Sequence, residues 1–255
     1  MSFRRIDIHA HLNFSAYNAD REEVINRALE GGTAFINVGT DNVTSRESVE
    51  LANKYEKGVY AIVGRHPADN VDEIFDPAKY RELLKHPKVV GIGECGLDYF
   101  HILPGGAEKQ KNTFIAQIEL ANEFSKPLML HVRDAYDDAL AILKSHANVV
   151  GDVHFFAGTI EQARAFLDIG YTLSFTGVIT FAKQYEELVE FVPLDMIQAE
   201  TDCPFVAPAP YRGKRNEPSY VSEVVSKISQ IKKLPVDNIE KALLINAKRM
   251  FGIDL

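Results

Sequence analysis

The chain has 255 residues, of which 46% are hydrophobic and 25% charged, a length that suits one domain and matches the roughly 250 residues of a (β/α)₈ barrel. Its 28 basic and 36 acidic residues leave a net charge of −8, which argues against a protein that coats nucleic acid through a broad basic face. No apolar run reaches the roughly 18 residues of a spanning helix, and the first residues lack the apolar core of a secretion signal, so no membrane association and a cytoplasmic location are expected. The two cysteines, Cys95 and Cys203, are too few for a disulfide framework and read as packing residues.

Along the chain, apolar β-branched runs alternate with segments of helical period, the pattern of parallel α/β architecture. The first run spans Arg4 to His9, and Asp20 with Glu23 marks the start of a helix that stops at Gly31. Further strands are expected at Thr33 to Gly39, Val59 to Arg65 and Val89 to Glu94. A long helix from about Ala107 to Ser125 places Phe114, Ile118, Ala121 and Phe124 on one face. Strands at Pro127 to Val132 and Val149 to His154 follow, then a helix opened by a Thr159/Gln162 capping box and closed at Gly170. Strands at Tyr171 to Phe175 and Met196 to Thr201 complete eight, with helices from about Ser219 to Lys232 and Asp237 to Arg249 behind them. Eight strand–helix units predict an α/β fold of the TIM-barrel kind, with no linker or repeat to suggest a second domain over residues 1–255.

The positions of the metal-type side chains sharpen this reading. His9, Glu94, His131, His154 and Asp202 each fall at or just beyond the end of a different strand, and in a (β/α)₈ barrel those ends form the rim that carries the active site. His9 and His11, two apart on extended chain, project to one face and can grip an ion together. Taken singly, Glu94 could bridge two ions or make an ion pair, and His131 and His154 could be hydrogen-bonded core histidines. Together, four histidines and two carboxylates on one rim have few structural explanations, because buried ionisable groups are costly unless paired or ligated.

The same parity places Asp7, Asp152 and Glu200 two residues before a candidate ligand, where each could accept the second ring N–H of a histidine or make a plain buried hydrogen bond. Arg133 could meet an anionic substrate or pair with Asp134. His66 reads as a substrate contact, and His101 in the loop after Glu94 fits either a site or a surface role. His86 and His146 end helices, where an imidazolium complements the helix dipole. The segment APAPYRGKRNEPSY carries Arg212, Lys214 and Arg215 among prolines, as either a phosphate clamp or a solvated cluster.

IDIHAHL, GRHP, GIGECGLDY, LHVRDA, VHFFAG, SFTGVITF and ETDCPFVAPAPYRGKRNEP, in that order, resemble the TatD family of metal-dependent hydrolases over nearly the whole chain. The resemblance implies that His9, His11 and Asp202 hold one ion, that His131 and His154 hold another, and that Glu94 bridges them. It also implies a phosphodiesterase acting on DNA, commonly a 3′-end exonuclease. Arg65, Phe155 and Ala157 stand where the family more often has other residues.

The expected mechanism is two-metal hydrolysis with Asp202 as base and Glu94 between the ions, while His66, Arg133, Arg212, Lys214 and Arg215 orient the phosphate. Imidazole ligands favour zinc or manganese over magnesium alone. Hydrolysis of another ester or amide at the same site, such as the acyl bond of a mischarged tRNA, is the second reading, and a non-catalytic metal-binding protein the third. No obligatory protein partner is expected.

Overall fold

Eight parallel strands pair in chain order: β1 (Arg5–Ala10), β2 (Thr33–Val38), β3 (Val59–Val63), β4 (Val89–Asp98), β5 (Leu128–Arg133), β6 (Gly151–Val153), β7 (Thr172–Phe175) and β8 (Ile197–Ala199). The computed structural model describes residues 3–69, 74–102 and 106–255. The sheet closes where the chain after β8 returns to β1. Asp202 N–H donates to the His9 carbonyl and His11 N–H to that of Cys203, each at 2.9 Å, around a parallel bridge between Ala10 and Cys203. The result is the α/β barrel expected from the alternation.

Each strand is followed by a helix: α1 (Arg21–Glu30), α2 (Asn42–Asn53), α3 (Pro77–Leu84), α4 (Gly106–Phe124), α5 (Tyr136–His146), α6 (Ile160–Leu167), α7 (Glu186–Phe191) and α8 (Val221–Lys232). A last helix, α9 (Val236–Phe251), packs on β1 and β8. The Thr159/Gln162 capping box forms as expected, with Thr159 Oγ1 accepting from Gln162 N–H and Gln162 Oε1 accepting from Thr159 N–H. Asp20 precedes α1 but does not cap it with its side chain. That carboxylate is held by Arg215 instead.

Nearly every strand residue is buried, as parallel strands covered on both faces require. The polar residues in and just after β1, Asp7, His9 and His11, alternate with Ile8, Ala10 and Leu12 and meet polar groups just past the ends of other strands, Asp7 at Thr201 and His9 at His154. Phe35, Phe114, Phe166 and Phe175 are fully buried, each contributing about 1.5–3 kcal/mol of apolar transfer. The main departure from the expected boundaries is β4, which runs four residues past Glu94 because it keeps pairing with β5 as far as Asp98 opposite Arg133. Strands β6 and β8 are three residues each, shorter than their apolar runs. Among the described residues, no helix is long and apolar enough to cross a membrane.

Candidate metal centre

At the carboxyl end of β1, His9 and His11 turn their Nε2 atoms toward each other at 3.0 Å. The Nδ1 of His11 lies 2.9 Å from the Val38 carbonyl. A carbonyl only accepts, so that nitrogen carries the hydrogen and Nε2 is left to offer a lone pair inward. His154, just past β6, is oriented in the same way, with its Nδ1 3.1 Å from Glu200 Oε2. His131 on β5 faces the other way round: Nδ1 is 2.9 Å from Glu94 Oε1 and Nε2 is 3.1 Å from Asp98 Oδ2.

The Glu94 carboxylate lies between these rings. Its Oε2 is 3.4 Å from His9 Nε2 and 3.7 Å from His11 Nε2, while its Oε1 faces His131, His154 at 3.3 Å and His66 at 3.5 Å. Asp202 Oδ1 completes the group, 3.4 Å from His11 Nε2 and 4.0 Å from His9 Nε2. The six residues singled out from the sequence thus meet in one cluster, although Asp202 lies 193 positions after His9 (202 − 9) in the chain. Among the described residues, three triplets have ligand atoms within 4.8 Å of one another: His9, His11 and Glu94; His9, His154 and Asp202; and His66, Glu94 and His131.

Donor chemistry and electrostatics both suit a divalent cation here. Imidazole nitrogens mixed with carboxylate oxygens form a donor set for zinc, manganese and similar ions. Burial alone would raise the Glu94 carboxyl, but the field of His66, His154 and His9, with the hydrogen bond from His131, holds it well below the usual carboxylate range. Burial would likewise raise Asp202, and His11 and the neighbouring histidines outweigh it. Burial would lower His154, yet Glu200 and Glu94 bring it well above the ordinary imidazole value, and His11 and His131 are raised by their carboxylate partners. Only His9 among the four moves down, through burial and the adjacent His154. A site that draws protons onto its rings in this way is one where a metal cation can take their place.

The supporting residues differ in part from expectation. Glu200 does accept from a histidine ring and also from Phe155 N–H at 2.6 Å. Asp7 and Asp152 do not reach a ring. Asp7 accepts from Thr201 and from the His9 backbone, helping to close the barrel, and burial raises its carboxyl. Asp152 accepts from the Thr172 and Ser174 hydroxyls, each at 2.6 Å, and burial pushes it up to about 7. Sequence reasoning missed Asp98, which is buried and binds both His131 and His101, the latter through Nδ1 at 2.9 Å. Its signal was available: Asp98 lies four residues after Glu94, on the same face of an extended chain.

Above the cluster opens a cavity of about 570 Å³ that includes His66, Arg133, Phe14 and Phe205 in its wall, a size typical of small-ligand sites. Arg133 is not paired with Asp134. Its guanidinium lies over the Phe100 ring, 3.8 Å from the centroid. The three-cation clamp expected in the loop after β8 is not assembled around this cavity. Arg215 forms a two-pronged pair with Asp20, bonds the Ala16 carbonyl and covers Tyr17. Arg212 packs on Phe181, and neither it nor Lys214 lines the cavity. Arg215→Ala is therefore expected to cost about 0.2–1 kcal/mol in thermal unfolding and to leave KM unchanged. A several-fold rise in KM would return Arg215 to substrate binding. Cys95 and Cys203 are buried free thiols.

A parallel eight-stranded barrel with a histidine–carboxylate cluster at its carboxyl rim has the construction of a metal-dependent hydrolase. The comparisons agree: residues 6–252 match the family model described as TatD related DNase, and the chain belongs to the TatD family. It is 43% identical to the uncharacterized metal-dependent hydrolase YabD of Bacillus subtilis, over 97% of this chain and 99% of that protein. It is 30% identical to the 3′-5′ ssDNA/RNA exonuclease TatD of Pantoea ananatis, over 97% and 99% respectively. The crystal structure of YJJV, a TatD homolog from Escherichia coli K12, superposes with a TM-score of 0.93 at 30% identity, each chain being covered completely.

Proposed function

We propose that this protein is a two-metal deoxyribonuclease that trims single-stranded ends, in the manner of a 3′-end exonuclease. The observation that carries this reading is the pairing of a metal-competent floor with aromatic walls in one cavity. Phe14 and Phe205 meet edge to face at 6.3 Å beside His11, and Phe205 is 52% exposed, so the ring is available to a base. Stacking on such rings contributes about 1–3 kcal/mol per base and tolerates any sequence. The name of the Pantoea relative, a 3′-5′ ssDNA/RNA exonuclease, supports the same substrate class.

His9, His11 and Asp202 would hold one ion and His131 and His154 the other, with one Glu94 oxygen turned to each group. Bound there, two divalent ions, whether zinc, manganese or magnesium, supply Lewis acidity toward the phosphoryl oxygens and a nucleophile usable at neutral pH. Asp202, kept ionised by its histidine neighbours, takes the proton of the attacking water. His66 and Arg133 both line the cavity and hold the phosphate in line. The two buried free thiols fit a reducing, cytoplasmic setting.

With a net charge of −8 the chain has little to offer a long duplex backbone, whereas a chain end can enter the barrel mouth without bending the polymer. Linear and circular single strands of equal sequence, incubated with metal-loaded protein, test this. The linear strand should be shortened and the circle left intact, and a chelator should stop the reaction. Equal rates on both would mean internal cleavage, and cleavage of a carboxyl-ester panel with DNA untouched would replace the nuclease by another hydrolase.

A further inference from the structure

Strands β3 and β4 part company partway up the barrel. Their last paired residues are Val63 and Ile92, yet β4 continues along β5 to Asp98. Beyond that point the chain after β3 leans toward β2, where His66 N–H donates to the Thr40 carbonyl at 2.8 Å. A parting of this kind leaves backbone groups on both lips without a sheet neighbour, and buried backbone groups must be satisfied.

Two side chains of α4 fill the gap. Gln117 accepts from Arg65 N–H at 2.7 Å and donates to the Arg65 carbonyl at 3.0 Å. Gln110 does the same for Asp98, accepting from its N–H and donating to its carbonyl, both at 2.9 Å. Each amide therefore replaces a missing strand neighbour at one residue. The two glutamines are buried and seven apart, two turns along one helix face. Gly64 makes room for the arrangement, since a Cβ there would stand 2.6 Å from Gln117 Oε1 and 2.5 Å from the Gly93 carbonyl.

Each clamped residue adjoins a group of the site. Arg65 precedes His66, and Asp98 holds His131 through Nε2. We propose that Gln110 and Gln117 are positioning residues that set the two lips of the β3/β4 parting: Gln110 fixes Asp98 and through it the His131 ring, and Gln117 fixes the approach of His66 to the substrate. The Gln117 half rests on the nuclease reading above. The Gln110 half rests only on the donor cluster.

The test compares Gln110→Leu with Gln117→Leu, which remove the same amide from the same helix. Zinc titrated into chelator-stripped Gln110→Leu should bind about tenfold more weakly at the site that would use His131, the low end of what losing the partner of a ligating histidine costs, because Asp98 stays but is no longer held. Gln117→Leu should bind zinc within about twofold of the parent and raise KM for a labelled single strand about tenfold, with kcat changed less than about threefold. If both variants lose thermal stability but move neither zinc affinity nor KM, the glutamines are structural only and the proposal is overturned. Should a leucine variant not fold, Gln110→Glu and Gln117→Glu, which keep the acceptor for the backbone N–H, should shift the same parameters in the same directions by smaller factors, and no shift there is equally fatal. If the parent protein cleaves no DNA, the nuclease reading fails, while the zinc titration of the Gln110 variants still decides the other half.

Discussion

On the two-metal reading proposed above, Glu94→Gln is expected to lower metal content from about two ions per chain to well below one and to reduce turnover by at least about a thousandfold. The amide keeps the volume of the carboxylate but removes an anion that faces His9, His11, His66, His131 and His154 together. The change acts on both histidine groups at once, because Oε2 serves His9 and His11 while Oε1 serves His131 and His154. A thousandfold loss corresponds to about 4 kcal/mol of transition-state stabilisation, the upper end of what removing one preorganised electrostatic partner costs. Elemental analysis beside steady-state rates checks it. One ion retained at full affinity would show that Glu94 belongs to a single ion and that the bridging assignment is wrong.

Asp202→Asn should lower kcat by about a hundredfold to ten-thousandfold, the range of a lost general base, with the fold intact. Asparagine suits the position on backbone grounds. Asp202 has φ of 53°, in the left-handed region that Asp and Asn enter more readily than other side chains. Its N–H donates to the His9 carbonyl and its carbonyl accepts from Phe205 N–H, and neither bond depends on the carboxylate. What the amide loses is basicity and the charge that His11 Nε2 faces at 3.4 Å. The measurement is turnover at saturating metal together with a thermal melt. A variant that melts like the parent and turns over at nearly the parental rate would remove Asp202 from proton transfer.

The two variants separate holding alone from holding combined with proton transfer. Both line the cavity, but Glu94 is the more enclosed, with 5% of its side chain exposed against 13% for Asp202. Loss of metal with loss of rate is the signature of the first position, and loss of rate at restored metal that of the second.

The sequence by itself determined the order of elements and the metal-competent set. Both are local properties. Period-two and period-3.6 patterns are written in neighbouring residues, and a parallel barrel sends every strand end to one rim, so His9, Glu94, His131, His154 and Asp202 converge once the fold class is known. The tertiary structure alone decided which supporting groups reach them. Asp7, Asp152 and Glu200 share one spacing from a candidate ligand, yet only Glu200 binds a ring, because β8 brings it beside His154 while Thr201, Thr172 and Ser174 satisfy the other two. Arg215 has the charge of a phosphate clamp, but a carboxylate 195 positions earlier holds it. Asp98, Gln110 and Gln117 acquire their roles from the point where β3 and β4 separate. Parity predicts the face a side chain occupies, but its partner depends on strand stagger and on contacts between distant segments, which no local pattern encodes.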